Sequence, residues 1–507
     1  MADKASNTKR ILKNTIILYA RMIVVMVIAL YTSRVVLKAL GVEDFGLYNV
    51  IGGVVSLFAF LRTSLEQTTQ RFLNYEMGST NGQLSDVFRV NFTIHVVIAV
   101  LAFLMTETVG LWFVNNYINI PEGREIAANW VYQSVVISLC MTIITVPFSA
   151  AINAHEKMSY YAIVTVIDAF LKLAIAFAIL YDRNDRLILY GILMGLISVV
   201  NFALYCVYSK IKYEEISFRL LFDRELIKKV LGFTSWTLVG QAASLGTNQG
   251  NNILLNIFHG VTANAAMGVG NQIGSAILGL SGNFQKAFNP QITKSYAEKD
   301  FEYMRFLLFA MSKVTFGLML ICSIPIIFNI DLVLDIWLVN VPEGAAWFSI
   351  LFITQGIINS LSSPLNFCVN ASGKIKYNQI FQSLINVSDL IILYILFKIG
   401  FPPITAMCVK IYVVLLELST RLHYASKYMP TLSVTSYIKE VMLPLIATVL
   451  FTISLMYLFN LFSGNTIIRI ISTVILMLCT LLFYCFLAIN KQERNSVLNA
   501  LKKKSEY

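Results

Sequence analysis

A chain of 507 residues that is 57% hydrophobic and 13% charged, with a mean hydropathy of +0.70, is excluded from the ordinary soluble proteins. Its apolar runs last about 20 residues or more, enough to cross a hydrocarbon core of about 30 Å. The net charge of +11 sits mostly in loops between those runs, where basic residues act first as insertion signals, so no nucleic-acid partner is expected.

In chain order, Met1–Lys13 is polar and basic, and the apolar run after it is too long for a cleavable leader. Fourteen membrane spans are expected. Six lie at 11–38, 46–70, 87–114, 130–152, 160–180 and 187–209. Six more follow at 232–258, 263–288, 304–328, 347–370, 377–399 and 403–425, and two close the chain at 438–461 and 466–489. This predicts an all-α membrane protein divided as 1–209, a first six-helix lobe; 210–231, a basic amphipathic linker; 232–425, a second lobe; and 426–507, two extra helices and a basic tail. The linker alternates Lys210, Lys212, Arg219, Arg224, Lys228 and Lys229 with Leu220, Leu221, Phe222 and Leu226, a pattern suited to an anionic leaflet. The seven cysteines lie in apolar stretches without a CxxC pair, so neither a metal site nor a disulfide framework is expected.

The two lobes are copies of one unit. Pro147–Lys157 returns at Pro364–Lys374 with the proline, Asn-Ala and lysine in register, and Tyr160 answers to Tyr377. Pro121-Glu122-Gly123 matches Pro342-Glu343-Gly344, and Gly41 matches Gly260. Basic residues crowd alternate loops, which places both termini in the cytoplasm. An even number of spans per copy makes the copies enter the membrane in the same direction. A pseudo-two-fold axis along the membrane normal, with a substrate site where the lobes face each other, is then expected.

Leu40-Gly41-Val42-Glu43-Asp44-Phe45-Gly46, between the first two spans, resembles the LGxxxFG turn of the polysaccharide flippases, which belong to the multidrug/oligosaccharidyl-lipid/polysaccharide (MATE-like) exporter superfamily. Arg71-Phe72 and Asn153-Ala154 fit the same group, and the resemblance covers essentially the whole chain. It implies an O-antigen or capsule-type flippase of the bacterial cytoplasmic membrane. Such a protein moves undecaprenyl-pyrophosphate-linked oligosaccharide from the inner to the outer leaflet by alternating access. It implies a functional monomer with no cofactor, not an enzyme, with polysaccharide assembly enzymes as candidate partners.

A pyrophosphate and its sugars cannot enter hydrocarbon unaided, so a polar, cationic cavity is needed. Arg21 leads the candidates because it lies inside the first span with no acid at i±3 or i±4, and an arginine binds phosphate through a planar fork. Arg34 sits about 140° round the helix from it and serves a substrate or snorkels. Arg62 has Glu66 at i+4, and Asp168 has Lys172 at i+4, so each set is either a local ion pair or part of a binding site, Asp168 being a candidate coupling group. Arg71, Lys286 and Lys313 complete the cationic candidates. Thr237, Gln241, Ser244, Asn248 and Asn251 share one helical face, Gln272, Asn283, Lys286 and Asn289 continue it in the next span, and they are read as a sugar-contacting wall or as interhelical hydrogen bonds.

A MATE-type small-molecule exporter is the alternative, but it wants acids in the first and seventh spans, which have none. A polymerase or ligase would need a large loop on the outer face, and the outer loops are short. The histidines, His95, His155, His259 and His423, are dispersed, and no nucleotide-binding loop is present.

Overall fold

The computed structural model describes residues 2–56, 59–79, 83–117, 120–181, 185–338, 340–462 and 466–488, with no strand among them. The basic tail Lys491 to Lys504 lies outside the described residues. In lipid every backbone donor and acceptor must be satisfied within the segment, and a long apolar sequence does so as helix. The helices are α1 (Ala2–Ser56), α2 (Ala59–Gly78), α3 (Leu84–Met105), α4 (Leu111–Tyr117), α5 (Glu125–Ala154), α6 (Met158–Tyr181), α7 (Arg186–Lys212) and α8 (Arg224–Ala297). They continue as α9 (Phe301–Phe328), α10 (Ile330–Trp337), α11 (Ala345–Ser372), α12 (Lys376–Ile399), α13 (Thr405–Tyr428), α14 (Val434–Tyr437), α15 (Leu443–Phe462) and α16 (Thr466–Leu487).

Eleven helices among the described residues are long and apolar enough to cross a membrane, against fourteen expected spans. Three places account for the difference. The 74-residue α8 holds the expected spans 232–258 and 263–288 in one run. The expected span 46–70 is shared between the end of α1 and α2, and α2 carries Arg62, Glu66, Arg71 and Glu76. The expected span 403–425 is α13, which carries Lys410, Glu417, Arg421 and Lys427. Four charges make each of these helices too polar to qualify by composition.

The duplication reaches the backbone. α1 turns at Gly41 (φ 79°, ψ 175°) and α8 at Gly260 (φ 78°, ψ −173°), a conformation open essentially to glycine alone. Gly123 and Gly344 share a positive φ, 77° and 82°. Glu156 (φ 58°) occupies the left-handed position that Gly373 (φ 72°) fills in the second copy. Pro147 and Pro364 stand inside α5 and α11.

The chain forms two compact units, Lys13–Leu238 and a second that takes in the residues up to Leu12 and those from Val239 onward, with boundaries inside α1 and α8. In lipid, apolar tails compete equally for apolar side chains, so helices associate by close packing rather than by hydrophobic burial. In the first unit α5 packs on α7 through glycine. A Cβ at Gly191 would stand 3.1 Å from Val131 Cγ2, and one at Gly195 would stand 3.3 Å from the Ser134 carbonyl oxygen. Between α3 and α4, residues 106–110 form a π-turn, and the Tyr132 hydroxyl donates to the Thr106 carbonyl oxygen at 2.5 Å. The second unit repeats the glycine device between α8 and α11, where Phe348 and Phe352 close on Gly270 and Gly274. There α15 and α16 pack on each other and on α9. Tyr484 donates to the Lys313 carbonyl oxygen at 2.6 Å, and Arg305 pairs with Glu440 at 2.8 Å.

Candidate functional site

The first unit encloses a cavity of about 340 Å³ between α2, α5, α6 and α7. Its charged lining is Arg62 and Glu66 from α2 with Asp168 and Lys172 from α6. The i,i+4 spacing on α6 brings Lys172 Nζ to 2.8 Å from Asp168 Oδ2, and Asn201 Nδ2 on α7 donates to Asp168 Oδ1 at 2.7 Å. Both carboxylate oxygens are therefore held by the protein. Lys172 nevertheless remains 41% exposed in its side chain, so the pair borders open space.

Hydroxyls cover much of the remaining wall, and most are committed to their own helices. Thr145 donates to the Met141 carbonyl oxygen at 2.6 Å, Ser138 to Ser134 at 2.9 Å and Ser149 to Val146 at 3.0 Å. Thr165 donates to Ala162 at 2.9 Å, and Ser198 to Gly195 at 2.6 Å. Tyr161 and Tyr205 add aromatic faces, and the Arg21 guanidinium lies 5.2 Å from the centroid of the Tyr161 ring.

Of the residues singled out from sequence, Arg62, Asp168 and Lys172 line this cavity and Arg21 adjoins it. Arg71 stands over the rings of Phe72, Tyr75 and Phe233 at 4.7, 4.8 and 5.6 Å, a cation–π cage within the first unit. Arg34 is exposed on α1. In the second unit Gln241 is half-buried, Gln272 and Lys286 are exposed, and Lys313 is 2% exposed on α9. Asn248 accepts a hydrogen bond from Lys410 Nζ at 3.0 Å, and Asn251 donates to Asp389 Oδ2 at 2.9 Å. Those two positions of the amide face thus serve as interhelical hydrogen bonds. Glu417 and Arg421 pair at 3.2 Å, and Arg421 also reaches Ser362 Oγ at 2.8 Å.

Sequence reasoning passed over Asn201 and the serine–threonine lining. The signal was available in Gly191, Gly195, Ser198 and Asn201, which recur at spacings of four, three and three and so share one face of α7. It also passed over two anchors outside the spans. Arg124 binds Asp44 of the LGxxxFG turn and Asp185, with Nε to Asp44 Oδ1 at 2.9 Å and Nη1 to Asp185 Oδ2 at 2.6 Å. Burial works against its charge, but the two carboxylates outweigh it and raise the guanidinium pKa above its ordinary value. Asp185 also caps α7 by accepting from the Leu187 and Ile188 amides. At the far end of α5, His155 Nε2 meets Glu215 Oε1 at 2.6 Å while its ring stacks on Tyr213 at 3.9 Å. Burial raises the Glu215 pKa, yet the His155 bond prevails and holds the carboxyl below its ordinary range.

The sequence profile of the polysaccharide biosynthesis protein family matches residues 11–296. The chain belongs to that family. No curated protein sequence matches it. Among solved structures, this polysaccharide biosynthesis protein is similar to a MATE transporter in its bent conformation, with a TM-score of 0.70 at 13% identity, over 84% of this chain and 97% of that one. It is similar to an outward-facing multidrug resistance MATE family transporter of the MOP superfamily, with a TM-score of 0.68 at 13% identity, over 84% and 94%. A MOP superfamily transporter from Pyrococcus furiosus, described as having a binding pocket of reverse polarity, aligns with a TM-score of 0.65 at 13% identity, over 82% and 94%. The fold is thus that of the MATE-like exporters, as the LGxxxFG resemblance implied. With eleven helices among the described residues long and apolar enough to span it, the protein crosses the membrane many times.

Proposed function

We propose that this protein is a flippase that carries undecaprenyl-pyrophosphate-linked oligosaccharide from the inner to the outer leaflet of the bacterial cytoplasmic membrane by alternating access, for surface polysaccharide assembly. The observation that carries this reading is the first unit's cavity, a polar and charged space built into apolar membrane helices. A polar cargo gives such a cavity a use that apolar packing would not. In this reading Arg21 receives the pyrophosphate through its fork, and Arg62 serves the rest of the head group. The Asp168–Lys172 pair is the element whose charge state couples to transport. Both termini are cytoplasmic, and the working unit is the monomer.

The test is Arg21→Ala in the native host. Surface polysaccharide is expected to disappear while the protein still reaches the membrane, and Arg21→Lys is expected to restore only part of it, because the bidentate fork is lost. Full polysaccharide in a well-expressed Arg21→Ala strain removes Arg21 from the mechanism. Retained polysaccharide in a deletion strain that becomes drug-sensitive assigns the protein to multidrug export instead.

A further inference from the structure

We propose that the cavity of the first unit is a saccharide subsite, holding one sugar ring of the cargo beside its pyrophosphate; the identity of the cargo rests on the flippase reading above. The argument is one of hydrogen-bond polarity. A serine or threonine hydroxyl has one proton and two lone pairs. Ser138, Thr145, Ser149, Thr165 and Ser198 each direct that proton to a carbonyl of their own helix. Such back-bonding is common in membrane helices taken singly. Ser134, which donates to the Trp130 carbonyl oxygen, makes six such groups on one cavity, and what they have left to offer is acceptor capacity.

The acids reinforce this polarity. Asp168 and Glu66 line the same space, and each Asp168 oxygen keeps a second lone pair after its bond to Lys172 or Asn201. A wall rich in acceptors selects a ligand rich in donors. Sugar hydroxyls and amides are donors that can also accept from Lys172 and Arg62. The ionised pyrophosphate diester of the cargo brings acceptors only, so it belongs with Arg21, beside the cavity, and not against this acceptor-rich wall. Tyr161 and Tyr205 present ring faces suited to the C–H face of a pyranose, with a polar tip at the edge. The cavity of about 340 Å³ lies at the small end of ligand pockets, which span roughly 300–1,000 Å³. That is room for a ring or two, not for an oligosaccharide on its lipid.

Purified full-length Ser198→Cys protein in lipid nanodiscs tests the proposal. Peptide mass spectrometry reads the rate at which N-ethylmaleimide modifies position 198, with Thr142→Cys as a second reporter on α5. Millimolar N-acetylglucosamine, galactose or glucose, at least one of the three, is expected to slow modification severalfold, while pyrophosphate and sodium chloride in place of choline chloride leave it unchanged. Adding Thr145→Val or Thr165→Val, nearly isosteric but lacking the acceptor, is expected to weaken that protection about fivefold, the worth of one hydrogen bond. Thr145→Ser is expected to keep it. Protection by pyrophosphate and not by sugars overturns the proposal and makes the cavity the phosphate seat. Protection by sodium alone overturns it in favour of a cation site, and no protection at either reporter overturns it outright. Absent sugar protection with polysaccharide still lost on gene deletion refutes the subsite alone. Sugar protection in a protein whose deletion leaves polysaccharide intact refutes the flippase reading alone.

Discussion

The first and second units share their backbone devices and differ in what they do with charge. Gly41 and Gly260 turn their helices at nearly identical angles, and prolines interrupt α5 and α11 at matching places. Yet Asp168 and Lys172 border open space in the first unit, while in the second Lys410 and Asp389 are tied inward. Lys410, 7% exposed, is held by Asn248; Asp389, 2% exposed, is held by Asn251 and couples electrostatically to Lys410 and Glu417. Duplication preserves what the backbone requires, because a positive φ admits few residues. Side chains facing a cavity or a neighbouring helix are under no such geometric limit and diverge.

The sharpest way to break this comparison is to remove one lysine from each unit. Lys410→Met leaves Asn248 and Asp389 without their buried cation, and a loss of about 3 kcal/mol in stability is expected. Lys172→Met, whose ammonium borders the cavity, is expected to cost less than about 1 kcal/mol while lowering transport. Thermal unfolding of both purified variants decides it. Equal losses would show that the first unit's pair is as structural as the second's.

A smaller effect is expected at the Arg124 clasp, which the second unit lacks because Ala345 and Ala263 stand where the first has Arg124 and Asp44. Arg124→Ala frees two half-buried carboxylates, at a cost of about 2 kcal/mol. A melting curve for Arg124→Ala that overlays the parent's would reduce the clasp to an exposed ion pair of no consequence.

The smallest effect is one of pH, and its sign differs between the units. Glu215 has a folded pKa held below its unfolded value of about 4.3, so its contribution is present above that pH and fades as acid approaches the folded value. Glu298, following α8, is raised by burial and by Asp300 against the pull of Lys294. Its contribution is present below about pH 4.3 and fades as pH rises through the folded value. Hydrogen exchange corrected for intrinsic rates is expected to show residues 213–223 loosening on acidification and residues 294–300 tightening. Movement of both segments in the same direction would contradict the assigned causes. Glu215→Gln should abolish the first response and leave the second.

The amino-acid sequence by itself determined that the chain lives in a membrane, that it is a doubled unit, that its halves turn at Gly41 and Gly260, and that Asp168 meets Lys172. These are local or periodic facts, set by hydropathy, by glycine's conformational range and by the helical pitch. Only the tertiary structure decided that Asn201 takes the second oxygen of Asp168, that Arg71 enters an aromatic cage and that Arg124 joins the LGxxxFG turn to the start of α7. The reason is the solvent. In water an apolar stripe marks the face a helix buries, but in lipid the outside is as apolar as the inside, so periodicity no longer says which way a helix points. The few polar side chains mark candidates, and the packing of α2, α5, α6 and α7 gathers Arg62, Asp168 and Lys172 around one cavity.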